Sequence, residues 1–286
     1  MIKVRPEGRS INKTLSLFNA NAIFLLLLLV VFRAARALGD TVTFAQFQEA
    51  GRGGNYFTFL NSGSSAIFQT KDPSMGASSV PVTFDFLSFA NGNLPADLQG
   101  PQAAQMKLSI KTTQHAGVFG NIFDQNLYSQ SSGGVIDYGS ISFTKDMPDK
   151  ELHKTNLLTV SFYAIAGGLD GIRRGQTATL TADTASESAQ TDYVQFSSSY
   201  LNFEPQTDEN LALSFSSASP CFSVYAQVKK VRGGCTQTSP QVLNLLHSFT
   251  AAGTGTFASD PAPQSIFATP EPASASLGCF GLVLCI

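Results

Sequence analysis

The stretch VPVTFDFLSFA, from Val80 to Ala90, decides the fold class of this chain, because apolar and polar residues alternate along it. Successive side chains of a β-strand point to opposite faces. The apolar side chains therefore share one face and the polar side chains share the other: Val82, Phe84 and Phe86 against Thr83 and Asp85. The stretch predicts a strand with one face buried in a core and the other in solvent.

Ten further segments alternate in the same way or run apolar over the length of a strand. They are Thr41–Phe47, Asn55–Asn61, Ser65–Thr70, Met106–Thr112, Tyr138–Thr144, Leu157–Ala166, Thr177–Asp183, Tyr193–Phe203, Leu211–Ser217 and Phe222–Val228. In TATLTAD, from Thr177 to Asp183, the threonines alternate with alanine and leucine, which predicts an outer face lined by hydroxyl groups. Clusters of Gly, Asn, Pro and Ser separate the segments and indicate turns. The Gly-rich IAGGLDG, from Ile165 to Gly171, is interpreted as one of these turns.

Composition supports an all-β fold. The chain has 23 phenylalanines and only 13% charged residues, and abundant Phe, Val and Thr favour strands. The exception is PQVLNLLHSF, from Pro240 to Phe249, whose apolar residues have helical spacing. We therefore expect residues 40–257 to form an antiparallel β-sandwich, jelly-roll-like in type, whose last strand lies around Gly253–Ala258. Residues 258–269, rich in Pro, Ala and Ser, are predicted to be a linker.

The first 39 residues have the arrangement of a secretory signal peptide. Basic residues precede the apolar run AIFLLLLLVVF, from Ala22 to Phe32, which is short for a membrane span. Ala37 and Gly39 supply the small residues that signal peptidase accepts at positions −3 and −1. The pattern predicts a signal peptide of residues 1–39 with cleavage after Gly39; an uncleaved N-terminal anchor is the alternative.

The charge distribution argues against nucleic acid as a partner. Six of the 18 Lys and Arg residues, but only one acidic residue, lie in the first 39 positions. The rest of the chain holds 12 basic and 19 acidic residues, a net charge of −7. A mildly acidic body lacks the basic surface that nucleic-acid binding requires.

The C-terminal residues 270–286 resemble the PEP-CTERM sorting signal of exported bacterial proteins. Pro270, Glu271 and Pro272 match the motif of that family, and an apolar run, Leu277–Ile286, follows them. The resemblance implies recognition by the membrane enzyme exosortase and transient membrane contact through the tail. In the family the apolar segment spans the membrane and a basic cluster follows it. Here the run has ten residues and no basic cluster, so the sequence predicts a truncated signal.

Four cysteines occur, at positions 221, 235, 279 and 285. Cys221 and Cys235 flank FSVYAQV and the basic turn KKVRGG, and in an exported protein this pair is interpreted as a disulfide that closes a hairpin. Such a loop would stabilise the fold by roughly 3 kcal/mol. Two unpaired thiols are the alternative, and the absence of a Cys-x-x-Cys or a histidine cluster argues against a metal site.

No stretch identifies a reaction. The three histidines are scattered along the chain, and no Gly-x-Ser-x-Gly motif is present. Five carboxylates are candidates for a glycosidase pair, although no sequence pattern pairs them: Asp85, Asp124, Asp137, Asp170 and Glu204. Asp170 and Asp183 are candidates for structural calcium, and no other cofactor is expected. Five tyrosines are candidates for a sugar-stacking surface: Tyr56, Tyr138, Tyr163, Tyr193 and Tyr200.

These features together predict a non-enzymatic exported protein of the cell envelope or extracellular matrix, with a structural or adhesive role. The PEP-CTERM resemblance implies a Gram-negative bacterium that produces exopolysaccharide, and extracellular polysaccharide is therefore a candidate partner. A secreted carbohydrate-binding module is the alternative hypothesis, and a glycoside hydrolase is a third, less favoured one.

Overall fold

A computed structural model describes residues 41–51, 54–73, 75–87, 94–127, 129–130, 136–137, 139–150, 152–163, 168–183, 193–204, 208–232, 234–238 and 241–267. The predicted signal peptide with Ala37 and Gly39, and the sorting motif with Pro270, Glu271 and Pro272, lie outside these residues. Nowhere in the described ranges does the chain form a helix long and apolar enough to cross a bilayer.

The described residues form twenty strands and one short 3-10 turn, Ala96–Leu98. The strands are β1 (Val42–Glu49), β2 (Phe57–Asn61), β3 (Ala66–Thr70), β4 (Val80–Phe86), β5 (Gln102–Thr112), β6 (Ala116–Phe119), β7 (Ile122–Asn126), β8 (Ser129–Gln130), β9 (Ile136–Asp137), β10 (Gly139–Lys145), β11 (Asn156–Tyr163), β12 (Gly168–Ile172), β13 (Ala178–Asp183), β14 (Tyr193–Ser197), β15 (Leu201–Asn202), β16 (Asp208–Ser219), β17 (Val228–Val231), β18 (Gly234–Gln237), β19 (Phe249–Asp260) and β20 (Gln264–Ser265).

The long strands β5 and β19 organise the fold, and all the ladders are antiparallel. On one side β5 pairs with β10; on the other side it pairs with β4 along its first half and with β3 along its second. Strand β19 likewise pairs with β16 on one side and with both β1 and β2 on the other. Because β4 pairs with β1 and β3 pairs with β2, the sheet divides into two layers between β5 and β19. This arrangement confirms the predicted antiparallel all-β sandwich.

Phenylalanine fills the space between the layers. Neighbouring ring centroids lie between 4.6 and 6.4 Å apart, mostly tilted or edge to face, the arrangement that aromatic pairs favour. The buried rings belong to Phe44, Phe47, Phe57, Phe59, Phe68, Phe84, Phe86, Phe123, Phe143, Phe196, Phe215, Phe222, Phe249 and Phe257. The opening stretch behaves as predicted, because Val82, Phe84 and Phe86 are buried while Thr83 and Asp85 point outward.

Three local predictions are wrong. Residues 241–249 form no helix, and residues 222–227 form no strand: their backbones run irregularly and meet at a single bridge between Tyr225 and Val242. Distant partners hold this irregular backbone, as when His247 N donates to Ser223 O at 2.6 Å. The third wrong prediction is the turn at IAGGLDG, because its described residues from Gly168 onward belong to strand β12, Gly168–Ile172. Leu245, Leu246 and Phe222 are buried although their segments have no regular secondary structure. Tertiary packing therefore overrode the structure that the local spacing of apolar residues predicts.

The folded body extends into the segment predicted as linker. Strand β19 continues to Asp260, where Ser259 is buried, and β20 pairs with β15. Ile266 N then donates to Tyr200 O at 3.1 Å, and Phe267 packs against the core. Residues 258–267 are therefore part of the sandwich, since buried hydrogen bonds order a segment whose composition suggests a flexible chain.

Candidate binding face

The outer face of one layer carries two rows of mostly polar residues in register. Antiparallel pairing aligns one outward residue from each of strands β4, β1, β19, β16, β13, β12 and β7. The first row is Thr83, Gln48, Thr254, Ser214, Thr179, Asp170 and Asp124; the second is Asp85, Gln46, Thr256, Ala212, Thr181, Gly168 and Asn126. Six strand spacings of about 4.8 Å make each row about 29 Å long. We call these two rows the polar face.

The polar face is concave. A cleft of about 280 Å³ lies over β4, β1, β19 and β16. A second, of about 330 Å³, lies beside it at Glu49 and Gly51, and a third, of about 420 Å³, lies over β12 and β13. Ser214 lines all three, so the clefts meet at the middle of the face. The three clefts therefore adjoin one another at Ser214, and we call them together the trough.

Glycines under the trough let strand β19 lie directly on aromatic rings. A Cβ on Gly253 would fall 2.6 Å from Phe57 Cε2, and a Cβ on Gly255 would clash with Leu213 and Phe47. Any side chain at these inward positions would force either these neighbouring side chains or β19 itself to shift. The composition of the inner face thus fixes the position of the outward residues Thr254 and Thr256.

A carboxylate in the main cleft has an unsatisfied oxygen. Asp85 Oδ2 accepts a hydrogen bond from Gln46 Nε2 at 3.4 Å, whereas Asp85 Oδ1 is buried without a partner among the described residues. A buried acceptor without a donor is costly, and it favours any ligand that brings a hydroxyl or amide proton. At the rim of the neighbouring cleft, burial raises the pKa of Glu49, although its Oε1 accepts a hydrogen bond from Gly253 N at 2.9 Å.

Two carboxylates meet at the other end of the first row. Asp170 pairs in register with Asp124, which brings their side chains close together on one face of the sheet. Burial raises the pKa of Asp170, and the nearby negative charge of Asp124 raises it further. The candidate calcium pair is not brought together in this way: Asp170 faces Thr179, and Asp183 lies four residues farther along β13, about 13 Å away. Within the described ranges no group of three or more potential metal ligands is present.

The remaining carboxylate candidates do not join this pair. Glu204 is exposed after β15, and Asp137 lies in β9.

The predicted disulfide is confirmed. Cys221 and Cys235 are bonded, with Cα atoms 5.8 Å apart, and both are buried. Because residues 222–227 are not a strand, the bond does not close a simple hairpin. It ties the irregular segment after β16 to strand β18 of the β17–β18 hairpin, at the edge of the sandwich.

The tyrosine candidates do not provide the expected stacking surface where their side chains are described. Tyr200 is fully buried; its hydroxyl donates to the carbonyl of Lys154 and lies 3.1 Å from Asp149 Oδ2. Tyr56 is half-buried and packs against the core. The backbones of Tyr163 and Tyr193 pair across β11 and β14, and Tyr138 lies outside the described residues. Polar side chains rather than tyrosines thus form the candidate binding face.

None of the three histidines belongs to the two rows of the polar face. His115 follows β5, His153 lies in the turn before β11, and His247 precedes β19 with Nδ1 2.8 Å from Ser248 O.

Comparisons with protein-family models, with curated proteins and with solved structures found no match to this chain. The function is therefore argued from the site alone. The sequence carried one signal for it, the alternating threonines of TATLTAD, and Thr179 and Thr181 are indeed exposed while Ala178 and Leu180 are buried. The other residues of the two rows were missed because the register between distant strands cannot be deduced from the alternation within one strand.

Proposed function

We propose that this is an exported, non-enzymatic adhesive protein of the cell envelope or extracellular matrix, and that its polar face binds extended polysaccharide. Residues 1–39 act as the export signal, and the PEP-CTERM-like motif at Pro270, Glu271 and Pro272 is the sorting address that exosortase recognises. A buried disulfide supports a role outside the cytoplasm, since such bonds persist in oxidising compartments.

The observation that carries the proposal is the pair of in-register rows. Threonine and serine hydroxyls both donate and accept hydrogen bonds, and glutamine amides do the same, which matches the hydroxyl groups of a sugar. A polysaccharide repeats the same hydroxyl groups at a regular distance, as the rows repeat their side chains from strand to strand. The rows are about 29 Å long, which is enough for an extended chain of several sugars.

The carboxylates of the face favour binding over hydrolysis. Glycosidases hold their two carboxyl groups about 5 Å or more apart, so that a sugar or a water fits between them. Asp124 and Asp170 instead lie side by side in register on neighbouring strands, with interacting carboxyl groups, rather than on opposite sides of a bound sugar. Their closeness supports a non-enzymatic role for this end of the face.

The secreted carbohydrate-binding module is the second candidate, and the same rows favour it. The two candidates differ in the fate of the protein: an adhesin remains with the envelope or the matrix, whereas a secreted module is released freely.

Binding is tested by affinity electrophoresis of the full chain through gels that contain soluble neutral glucan, soluble xylan or alginate. The triple variant Thr179→Val, Thr254→Val and Thr256→Val removes three hydroxyl groups, yet valine keeps the shape and the strand preference of threonine. We expect retardation by at least one polysaccharide, and at least a ten-fold loss of affinity in the variant, because each lost hydrogen bond contributes about 0.5–1.5 kcal/mol.

The matched control is Thr236→Val, an exposed threonine on β18 outside the polar face, which should bind like the wild type. Equal affinity of the triple variant and the wild type would contradict the assignment of the site. Failure of the wild type to bind any of the three polysaccharides would contradict the proposed ligand class.

Fate in the cell is tested separately, by expression in a host that contains exosortase, fractionation and intact-mass measurement. We expect loss of residues 1–39, processing near Pro272 and recovery in the envelope or matrix fraction. Recovery of a freely secreted chain with an intact C-terminus would reject the sorting role and leave the secreted module.

A further inference from the structure

Three turns meet at one end of the sandwich. The β6–β7 turn contacts the β12–β13 turn, where Arg173 N donates to Asn121 O at 2.7 Å. The β12–β13 turn in turn contacts the β17–β18 hairpin: Cys235 N donates to Arg174 O at 3.2 Å, and Arg174 Nη2 lies 3.4 Å from Gln237 Oε1. The Cys221–Cys235 disulfide fixes the hairpin to the body.

This end is basic, although the body as a whole is acidic. Five of the 12 basic residues that follow residue 39 lie on these turns: Arg173, Arg174, Lys229, Lys230 and Arg232. The segments 115–123, 171–178 and 218–238 contain no acidic residue. The Asp124–Asp170 pair lies two residues inside the strands and borders the patch. We call the five residues the basic end.

Large apolar side chains project into solvent beside the basic end. Phe119 is 72% exposed, Ile122 56% and Ile172 58%, and they align because Ile122 pairs in register with both Phe119 and Ile172. Val118 and Val231 are also exposed. These five are half of the ten exposed large hydrophobic side chains in the described part of the chain. We call Phe119, Ile122 and Ile172 the apolar tip.

Arg173 adds evidence for an anionic ligand. Its guanidinium lies 5.8 Å from the centre of the Tyr225 ring, and its Nε is buried without a hydrogen-bond acceptor among the described residues. The buried Nε cannot meet a phosphate directly, so Arg173 contributes to this end through the positive charge of its guanidinium, a group that binds phosphate strongly.

We propose that this end of the sandwich is a peripheral membrane-binding site for anionic phospholipid surfaces. The apolar tip enters the boundary between headgroups and acyl chains, while the basic end binds the phosphate groups around it. An acidic polysaccharide would satisfy the charges, but it would leave Phe119 and the two isoleucines in water. The combination of charge with aligned exposed apolar side chains therefore favours a lipid surface. This site adjoins the polar face at Ile172 and Asp170, but it uses other residues and does not depend on the proposed polysaccharide binding.

The chain contains no tryptophan, so a single Phe119→Trp substitution makes a fluorescent reporter of the tip alone. Such a reporter is needed because the apolar segments at both termini would themselves bind vesicles. Binding of the full chain would therefore not show whether the apolar tip contacts the lipid. With vesicles of phosphatidylcholine and phosphatidylglycerol, we expect its emission to move to shorter wavelength and to be quenched by brominated acyl chains. With phosphatidylcholine alone we expect neither change.

The matched reporter is Met147→Trp, at an equally exposed position in the β10–β11 turn, which should not respond. The charge test replaces Lys229 and Lys230 by glutamine in the Phe119→Trp chain. Partitioning of the tip should fall roughly 25-fold, about five-fold for each lysine. Replacing Lys107 and Lys150, both exposed elsewhere, removes the same charge and should have little effect.

Three results would overturn the proposal. The first is an unchanged Phe119→Trp emission with every vesicle, and the second is an equal response from Met147→Trp. The third is tight binding to alginate through Lys229 and Lys230 without any response to vesicles, which would assign the basic end to acidic polysaccharide instead.

Discussion

Strand β19 has two faces built on the same backbone, and they obey different constraints. Its inner face ranges from no side chain to a large one: Phe249, Ala251, Gly253, Gly255 and Phe257. Its outer face carries side chains of nearly uniform size: Thr250, Ala252, Thr254 and Thr256. Inner residues vary because each must fill the space that neighbouring rings leave, whereas outer residues are free of packing. The comparison teaches that packing constrains the inner face of the sandwich, whereas the outer face is open to the proposed polysaccharide binding.

The largest effect is expected from Phe257→Ala. The ring of Phe257 is fully buried, with its centroid 5.4 Å from Phe143 and 6.1 Å from both Phe47 and Phe196. Loss of this ring leaves a cavity, so we expect the free energy of unfolding to fall by about 3–5 kcal/mol in urea titration. The adjacent outward variant Thr256→Ala should change it by less than about 1 kcal/mol. Similar losses for the two variants would refute the division between faces.

The same division explains how far the sequence could be interpreted. Wherever one strand buries one face, the alternation is visible locally, and Val82, Phe84 and Phe86 were assigned correctly. Where burial does not follow a strand, the pattern misleads: Leu245 and Leu246 are buried in an irregular segment that had the spacing of a helix. Short strands without alternation, such as β6 and β12, were missed because their order comes from pairing with neighbours rather than from local preference.

The candidate sites show a different limit of prediction from sequence. The disulfide could be predicted because two cysteines and an export signal suffice for the hypothesis. The polar face could not, because it exists only when Gln48, Thr254 and Ser214 come into register across strands that are far apart in sequence. The apolar tip was also invisible, since nothing in the letters of GVFGNIF distinguishes an exposed turn from a buried strand.

Glu209 is a buried carboxylate on the inner face of β16, and Glu209→Gln should have the second-largest effect. The carboxylate lies in β16, and its Oε2 accepts a hydrogen bond from Phe196 N at 2.6 Å, which links β16 to β14. Burial raises the pKa of Glu209 from 4.5 to about 7, although the hydrogen bond from Phe196 opposes the shift. The folded protein therefore prefers the protonated acid, and its stability should fall as the pH rises from about 4.5 through 7.

Glutamine resembles the protonated acid and keeps an acceptor for Phe196 N. Glu209→Gln should thus match the wild type near pH 4.5 and be more stable by about 2–3 kcal/mol at pH 8, since each pKa unit corresponds to 1.36 kcal/mol. Urea titrations across this range measure the difference, with the exposed Glu204→Gln as a control that should show none. A constant difference between Glu209→Gln and the wild type at all pH values would contradict the assignment.

The smallest effect, and the sharpest test of the comparison, comes from adding one methyl group to either face. Gly255→Ala points inward against Leu213 and Phe47, and overpacking of this kind costs about 1–3 kcal/mol. Gly168→Ala belongs to the second row of the polar face, where the nearest atom, Asp124 Oδ1, lies 3.4 Å from the new Cβ. We expect Gly168→Ala to alter stability by less than about 0.5 kcal/mol in the same titration. We expect the added methyl group to displace β19 from the core, so Gly255→Ala should weaken polysaccharide binding through Thr254 and Thr256, although it removes no polar group. If Gly255→Ala were destabilised but bound polysaccharide normally, the inner face would not position the outer one, and the trough would owe its shape to the strands beside β19.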